Sequence, residues 1–383
     1  MILSQVAEVR NPEPRVAWAS LQRFMNVSSV TDTLVRLHGL SKAQRPNAQK
    51  QARQIRYCLM QAREYANAAR AVSLATKPTL YYYSAMSLAL AEILLKQSGE
   101  SSLDRARAHH RHHGLIFRDT RSGKITEEFE AASVGLIAKP MISAQDGRLG
   151  TFELWHRSAR EDPYVGELKH HHLAGGYRSS IEILGTPRDE RMPLLSDNGL
   201  SLFDCLTHIP DLLSFLTSLG VESECLRGKI SADVHEKQQR VVLHFTLHPS
   251  GKADAFLDEM RVPPGLVDRL EYKDYPGGGY ISLTTDVAST DQGGLVLPPA
   301  SATNKEEFRC WMGPQPLNEF GYIYVALFIV GNYARYYPDR WVHDVESSAP
   351  LALVTEELLA IAEARMPWLT LGELARGYHV YTG

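Results

Sequence analysis

The stretch "RARAHHRHHGL", residues 105–115, sets three arginines and four histidines within eleven positions. Arg105 and His110 are separated by four residues, and so are Arg107 and His112. Side chains of these types can cleave RNA without a metal. A base must take the 2′-hydroxyl proton, an acid must protonate the leaving 5′-oxygen, and a cation must sit beside the phosphate as charge accumulates. Histidine titrates near neutrality and suits proton transfer. Arginine stays charged and offers a fork matched to phosphate oxygens. Arg105 is therefore the candidate phosphate contact and His110 the candidate proton-transfer residue, with Arg107 a further phosphate contact.

Two other readings compete for the same stretch. His109 and His113 lie four apart and would share a helix face, as zinc-binding histidines often do. No HExxH and no glutamate accompanies them, so no metal is assigned. Alternatively, Gly114 ends a helix whose basic last turn complements its dipole. The run "KHHHLAGGY" (169–177) adds three histidines, but consecutive residues on a helix point in different directions.

Basic residues recur elsewhere. Arg56, Met60, Arg63, Asn67 and Arg70 fall at spacings of three and four in a long helical segment. They form either a solvated face or a phosphate-binding one. In "GNYARYYPDRWVHD" (331–344), Arg335 and Arg340 flank three tyrosines and a tryptophan. Such clusters stack bases and hold phosphates, or they knot a helix end together. The glycines of "YPGGGY" (275–280) lead into a strand, so no phosphate loop or dinucleotide fingerprint follows. His244 and His248 share one side of a strand, and no G-x-S-x-G occurs.

The elements that must position these residues begin as helices, with candidates at 14–25, at 28–38 (capped by Ser28 or Ser29) and at 45–75. On the third, Ile55, Leu59, Ala62, Ala66 and Ala69 form a narrow stripe of mostly small residues that permits close packing. After Lys77-Pro78, residues 79–100 are apolar nearly all round and read as the central buried helix. "SVGLIAKPMIS" and "GRLGTFELWHRS" read as strands or an irregular insertion, 200–220 as helical, and 226–248 as two strands about a polar turn. "KADAFLDEMR" is a helix and "GGGYISLTTD" a strand. Helices return at 320–336, 350–365 and 370–376. This order gives an α+β fold, mainly helical, with a β-containing middle and C-terminal helices packing back on the N-terminal bundle. Three parts follow: a basic helical part (1–125), a mixed middle (126–320) and C-terminal helices (321–383).

Charge follows that division. The net charge is −3, yet residues 1–125 carry 19 Lys/Arg against 8 Asp/Glu. A basic third attracts phosphates, or packs against the acidic remainder. The four cysteines are widely spaced, which fits reduced thiols. The first residues lack a signal-peptide pattern, and the longest apolar runs are too short to span a bilayer. A cytoplasmic protein with no membrane partner is expected.

The segments "KQARQIRYCLMQAREYANAARAVSLATKPTLYYYSAMSLALAEILLK", "HGL", "HIPDLLSFL", "NYARYYPDRW" and "MPWL" resemble the YaaC-like proteins, a bacterial family without an assigned reaction. The tyrosine-rich helix followed by a histidine-bearing segment also resembles HEPN domains. Those are small helical bundles, often dimeric, and many are metal-independent ribonucleases with an arginine–histidine signature. Ala106 and Ala108 stand where that signature usually has a polar residue. The resemblance implies an RNA- or nucleotide-directed protein of a toxin or defence type, able to form a homodimer and needing no cofactor. In that reading Arg56, Arg63, Arg70, Arg107, Arg335 and Arg340 contact phosphate. The alternative is a non-catalytic binding or assembly protein whose basic bundle docks a partner protein or a nucleotide.

Overall fold

A computed structural model describes residues 5–10, 13–96, 112–121, 128–141, 150–158, 164–173, 176–185, 195–222, 224–235, 240–248, 253–259, 270–275, 278–286, 295–296, 300–302, 307–311, 316–375 and 377–382. Helix α1 (Pro14–Leu21) runs through a 3-10 turn into α2 (Val27–His38). The cap of α2 is Asn26, two residues before Ser28 and three before Ser29, and its side chain accepts from the Ser29 amide. Gly39 closes α2 at φ +60, the left-handed conformation that glycine adopts without a Cβ penalty.

Helices α3 (Arg45–Arg70) and α4 (Lys77–Lys96) form the central pair. Ala52, Ile55, Leu59, Ala62, Ala66 and Ala69 are all buried, and the small side chains let α4 come close. Ser84 on α4 donates to the Ala62 carbonyl at 2.8 Å.

Between α4 and the C-terminal helices lie α5 (Phe129–Val134), α6 (Thr151–Ser158), α7 (Leu202–Thr207), α8 (Leu213–Ser218) and α9 (Ala253–Glu259). The segment containing α6 reads from sequence as a strand or irregular insertion, and it is helical. Its Phe152 and Trp155 sit three apart and are both buried, against α4 and Tyr324. The expected helix at 200–220 divides at Pro210 into α7, a 3-10 turn and α8.

Helix α10 (Glu319–Tyr336) is buried along almost its whole length and crosses α4 at Gly331. A Cβ there would lie 3.3 Å from that of Tyr82. Each Leu, Ile or Phe so buried contributes about 1.5–3 kcal/mol, so α10 and α4 dominate the core. Helix α11 (Pro338–Glu346) follows, then α12 (Pro350–Ala375). The last two expected helices are thus one, with Pro367 inside it. The C-terminal helices pack back on α4 and α1.

Among the described residues the strands form four sheets. β1 (Gln5–Arg10) pairs in parallel with β14 (Gly377–Thr382). β2 (Leu115–Asp119), β3 (Leu136–Pro140) and β6 (Leu200–Ser201) form a second sheet against the helical core. β4 (Tyr164–Leu173), β5 (Gly176–Gly185) and β11 (Leu295–Val296) form a third. The His170–His172 run therefore lies in a strand, not a helix. The largest sheet has the order β12-β13-β7-β8-β10-β9. Its strands are β7 (Cys225–His235), β8 (Arg240–His248), β9 (Leu270–Tyr275), β10 (Gly278–Asp286), β12 (Ala300–Ala302) and β13 (Glu307–Trp311). Phe245 of β8 packs on Phe256 of α9. Among the described residues no helix is long and apolar enough to cross a membrane.

Candidate functional site

The site begins where the histidine-rich stretch enters β2. Arg105, Arg107, His109 and His110 lie outside the described residues; His112, His113 and Gly114 lie within them. Gly114 has φ +84 and leads directly into β2. Two features fix this bend. The carbonyls of His112 and His113 accept from Thr151 and Phe152 at 3.1 and 2.9 Å, supplying acceptors for the free amides of the α6 start. Gly150 presses on Gly114 so closely that a Cβ on it would lie 2.2 Å from the Gly114 Cα.

The bend aims His113 at α4. The Tyr82 hydroxyl and His113 Nδ1 are 2.9 Å apart, and the two rings meet edge-on. Burial, then the Arg335 charge, then His112 all lower the His113 pKa from its ordinary 6.5, so the imidazole is neutral at neutral pH. Tyr82 is buried among Tyr83, Tyr324 and Phe328, and that burial holds its phenol far above the usual range. It is thus a fixed neutral partner. When Nδ1–H donates to the Tyr82 oxygen, Nε2 keeps its lone pair and accepts a proton. In the other tautomer Nε2–H donates to an acceptor such as a phosphate oxygen.

Arg335, from the last turn of α10, is exposed. Its Nη1 donates to the Tyr83 hydroxyl at 3.2 Å, and its guanidinium lies 5.1 Å from the Tyr336 ring centre. Tyr83 in turn stacks on Tyr65 of α3, with ring centres 5.5 Å apart. Four separate segments thus supply a neutral histidine, a fixed phenol, an exposed cation held by Tyr83 and a group of half-buried to exposed aromatic rings.

The other expected phosphate contacts divide. Arg340 donates to Asp119 at 3.1 Å and lies over Tyr337. The same carboxylate takes two bonds from Arg121, at 2.9 and 2.8 Å. Burial pulls the Asp119 pKa up, but Arg121 and Arg340 outweigh it and hold the carboxyl below its usual range. Arg121 covers Tyr333, whose hydroxyl donates to Asp344 at 2.8 Å. Trp341 donates to the carbonyls of Leu74 and Ala75, between α3 and α4. Around Arg340 the arginine–aromatic cluster is therefore a structural knot. Arg70 is engaged too, binding Glu363 of α12 at 2.6 Å. On α3, Arg56 is exposed and Arg63 half-buried, and neither has an ion pair to another described residue.

Sequence reasoning missed Tyr65, Tyr82 and Tyr83. The signal was the triple tyrosine opening an otherwise apolar helix, but which ring meets a histidine depends on the crossing of α4 by α10.

Among the described residues no group of three or more His, Cys, Asp or Glu converges to hold a metal ion. Cys58, Cys205 and Cys225 are buried free thiols, and burial pushes Cys58 up to about 12, far from a reactive thiolate.

Fold and site together define a mainly helical α+β protein with a histidine–tyrosine pair packed against α4 and α10. Residues 22–141, from the 3-10 turn after α1 through α2, α3, α4, β2, α5 and β3, match the family of YaaC-like proteins, and over that span the chain is similar to it. The matched span contains His113, Tyr82, Tyr83 and Tyr65, whereas Arg335 lies beyond it. No curated protein and no solved structure matches the chain.

Proposed function

We propose that this YaaC-like protein is RNA-directed and cleaves RNA by metal-independent proton transfer. The observation that carries the reading is His113, neutral and anchored by Tyr82, within electrostatic reach of the exposed cation Arg335. Nε2 of His113 takes the 2′-hydroxyl proton, and the freed oxygen attacks phosphorus. The bond from phosphorus to the 5′-oxygen breaks, leaving a 2′,3′-cyclic phosphate. Arg335 attracts the phosphate oxygens as charge accumulates. Tyr83 accepts from Arg335, so its own proton is free to pass to the 5′-oxygen. Solvent then returns the His113 proton to Tyr83. Arg105 and His110, upstream in the same stretch, belong to the reading as additional phosphate and proton-transfer groups.

The test compares three proteins on mixed cellular RNA with excess chelator: wild type, His113→Ala, and the Arg105→Ala/His110→Ala double variant. Chelator-resistant cleavage lost in His113→Ala supports this centre. Cleavage kept there but lost in the double variant moves the chemistry upstream. No cleavage by any of the three favours a second reading, a binding or assembly protein. Arg56 and Arg63 of α3, with no ion pair to another described residue, support that alternative.

A further inference from the structure

An aromatic row runs across the bundle toward the His113 site. Tyr57, Gln61 and Tyr65 stand at i, i+4 and i+8 on α3 and form one gently winding ridge. Tyr57 is 57% exposed and Gln61 is exposed, while Tyr65 is half-buried. Tyr65 stacks on Tyr83, Tyr83 bonds Arg335, and Arg335 lies over Tyr336, which is 60% exposed. Tyr83 lies against Tyr82, the hydrogen-bond partner of His113, and the Arg335 charge is near enough to lower the His113 pKa. From Tyr57 to Tyr65 the helix rises about 12 Å, roughly the length of three to four stacked bases.

We infer that this row is a track for single-stranded RNA: the exposed tyrosines stack unpaired bases and lead the strand to His113. The inference rests on the RNA-directed reading above and narrows it to unpaired substrate. Three features fit that occupant. Ring faces stack only on bases that are free of a duplex. Gln61 sits between two tyrosines, where its amide meets a base edge. Arg53, four residues before Tyr57, extends the same ridge, while Arg56 and Arg63 lie around the helix on its other edge; none has an ion pair to another described residue, which leaves their charge for a backbone that crosses the helix. A folded protein partner has no comparable need for alternating rings and cations.

The experiment measures binding by fluorescence anisotropy. The probes are a labelled 2′-O-methyl RNA 12-mer of uridines, which lacks the attacking hydroxyl and stays intact, and a hairpin of the same chemistry. Proteins are wild type, Tyr57→Ala, Tyr57→Phe, Tyr336→Ala and Arg56→Ala/Arg63→Ala. The track requires tighter binding of the single strand than of the hairpin. Each tyrosine-to-alanine change should weaken single-strand binding roughly tenfold, and Tyr57→Phe should restore it, because stacking needs the ring and not the hydroxyl. Equal binding of both probes, or loss in the arginine variant with none in the tyrosine variants, overturns the track and leaves an RNA-directed protein. No binding of either probe overturns both. Arg56, Tyr57 and Tyr336 are exposed and Arg63 is half-buried, so circular dichroism of each of the four variants should match wild type.

Discussion

Tyr82 and His113 lie 31 residues apart in the chain, yet the tyrosine hydroxyl meets the imidazole Nδ1 at 2.9 Å. That one contact ties the end of the histidine-rich stretch to the central helix. Tyr82→Phe keeps the ring and removes the tie. It should cost about 1 kcal/mol of stability, the usual net value of a hydrogen bond, read as a shift in denaturant midpoint. Cleavage should fall without a change in binding of the uncleavable 12-mer, because the base loses its orientation and the strand loses no contact. Equal loss of both would mean that Tyr82 only supports the fold.

The acid limb of the cleavage profile tests the environment of His113. Burial and Arg335 hold its pKa below 6.5, so activity should persist down through pH 6.5 and fall only at lower pH. Removing the cation in Arg335→Ala should move that limb upward, toward the ordinary histidine value. The rate will also fall because a phosphate contact is lost, so the position of the limb is the readout, not its height. A limb unmoved by Arg335→Ala would separate the two residues. The same depression bears on folding: a proton on His113 favours the unfolded chain, so its penalty appears below pH 6.5 and is absent above it.

Asp119 joins Arg121 and Arg340 and sits almost wholly out of solvent. Asp119→Ala leaves Arg121 buried without its carboxylate. It should cost about 3 kcal/mol, the low end for breaking a buried pair, because Arg340 keeps partial contact with water. Arg340→Ala should cost much less. Because the Asp119 carboxyl is held low, its contribution is complete above its ordinary value of 3.8 and is lost as pH falls through its lower folded value. Urea melts at neutral and acid pH measure both effects.

Gly114 and Gly39 both adopt positive φ, but their surroundings differ. A Cβ on Gly114 would lie 2.9 Å from the Phe152 amide, whereas one on Gly39 meets nothing within 4 Å. Gly114→Ala should therefore cost about 1–3 kcal/mol beyond the left-handed strain that both substitutions share. It should also displace His113 and reduce cleavage. Gly39→Ala should leave cleavage intact. Thermal melts beside activity distinguish them.

Much of the helical frame is legible in the sequence because α3 and α4 carry strong periodic signals. The alanine stripe and the all-round apolar helix follow directly from side-chain spacing. The α6 segment reads as a strand or irregular piece because an eight-residue helix holds too few turns to show a period, and its helicity rests on Phe152 and Trp155 packing beside α4. Residues 350–376 read as two helices because Pro367 interrupts the pattern, yet buried Met366, Trp368 and Leu369 continue the helix through it. Arg335 stood out from its aromatic neighbours. Its charge acting on His113 is not legible, since that depends on where α10 crosses α4. The Arg105–His110 pair, which spacing favoured, lies outside the described residues.

The most direct measurement is the product formed from one defined RNA oligonucleotide in excess chelator, by wild type and by His113→Ala. The account predicts a 2′,3′-cyclic phosphate from wild type, none from the variant, and none when the nucleotide 5′ to the scissile bond carries a 2′-O-methyl group. Cleavage that survives His113→Ala, or that proceeds without the 2′-hydroxyl, would contradict it.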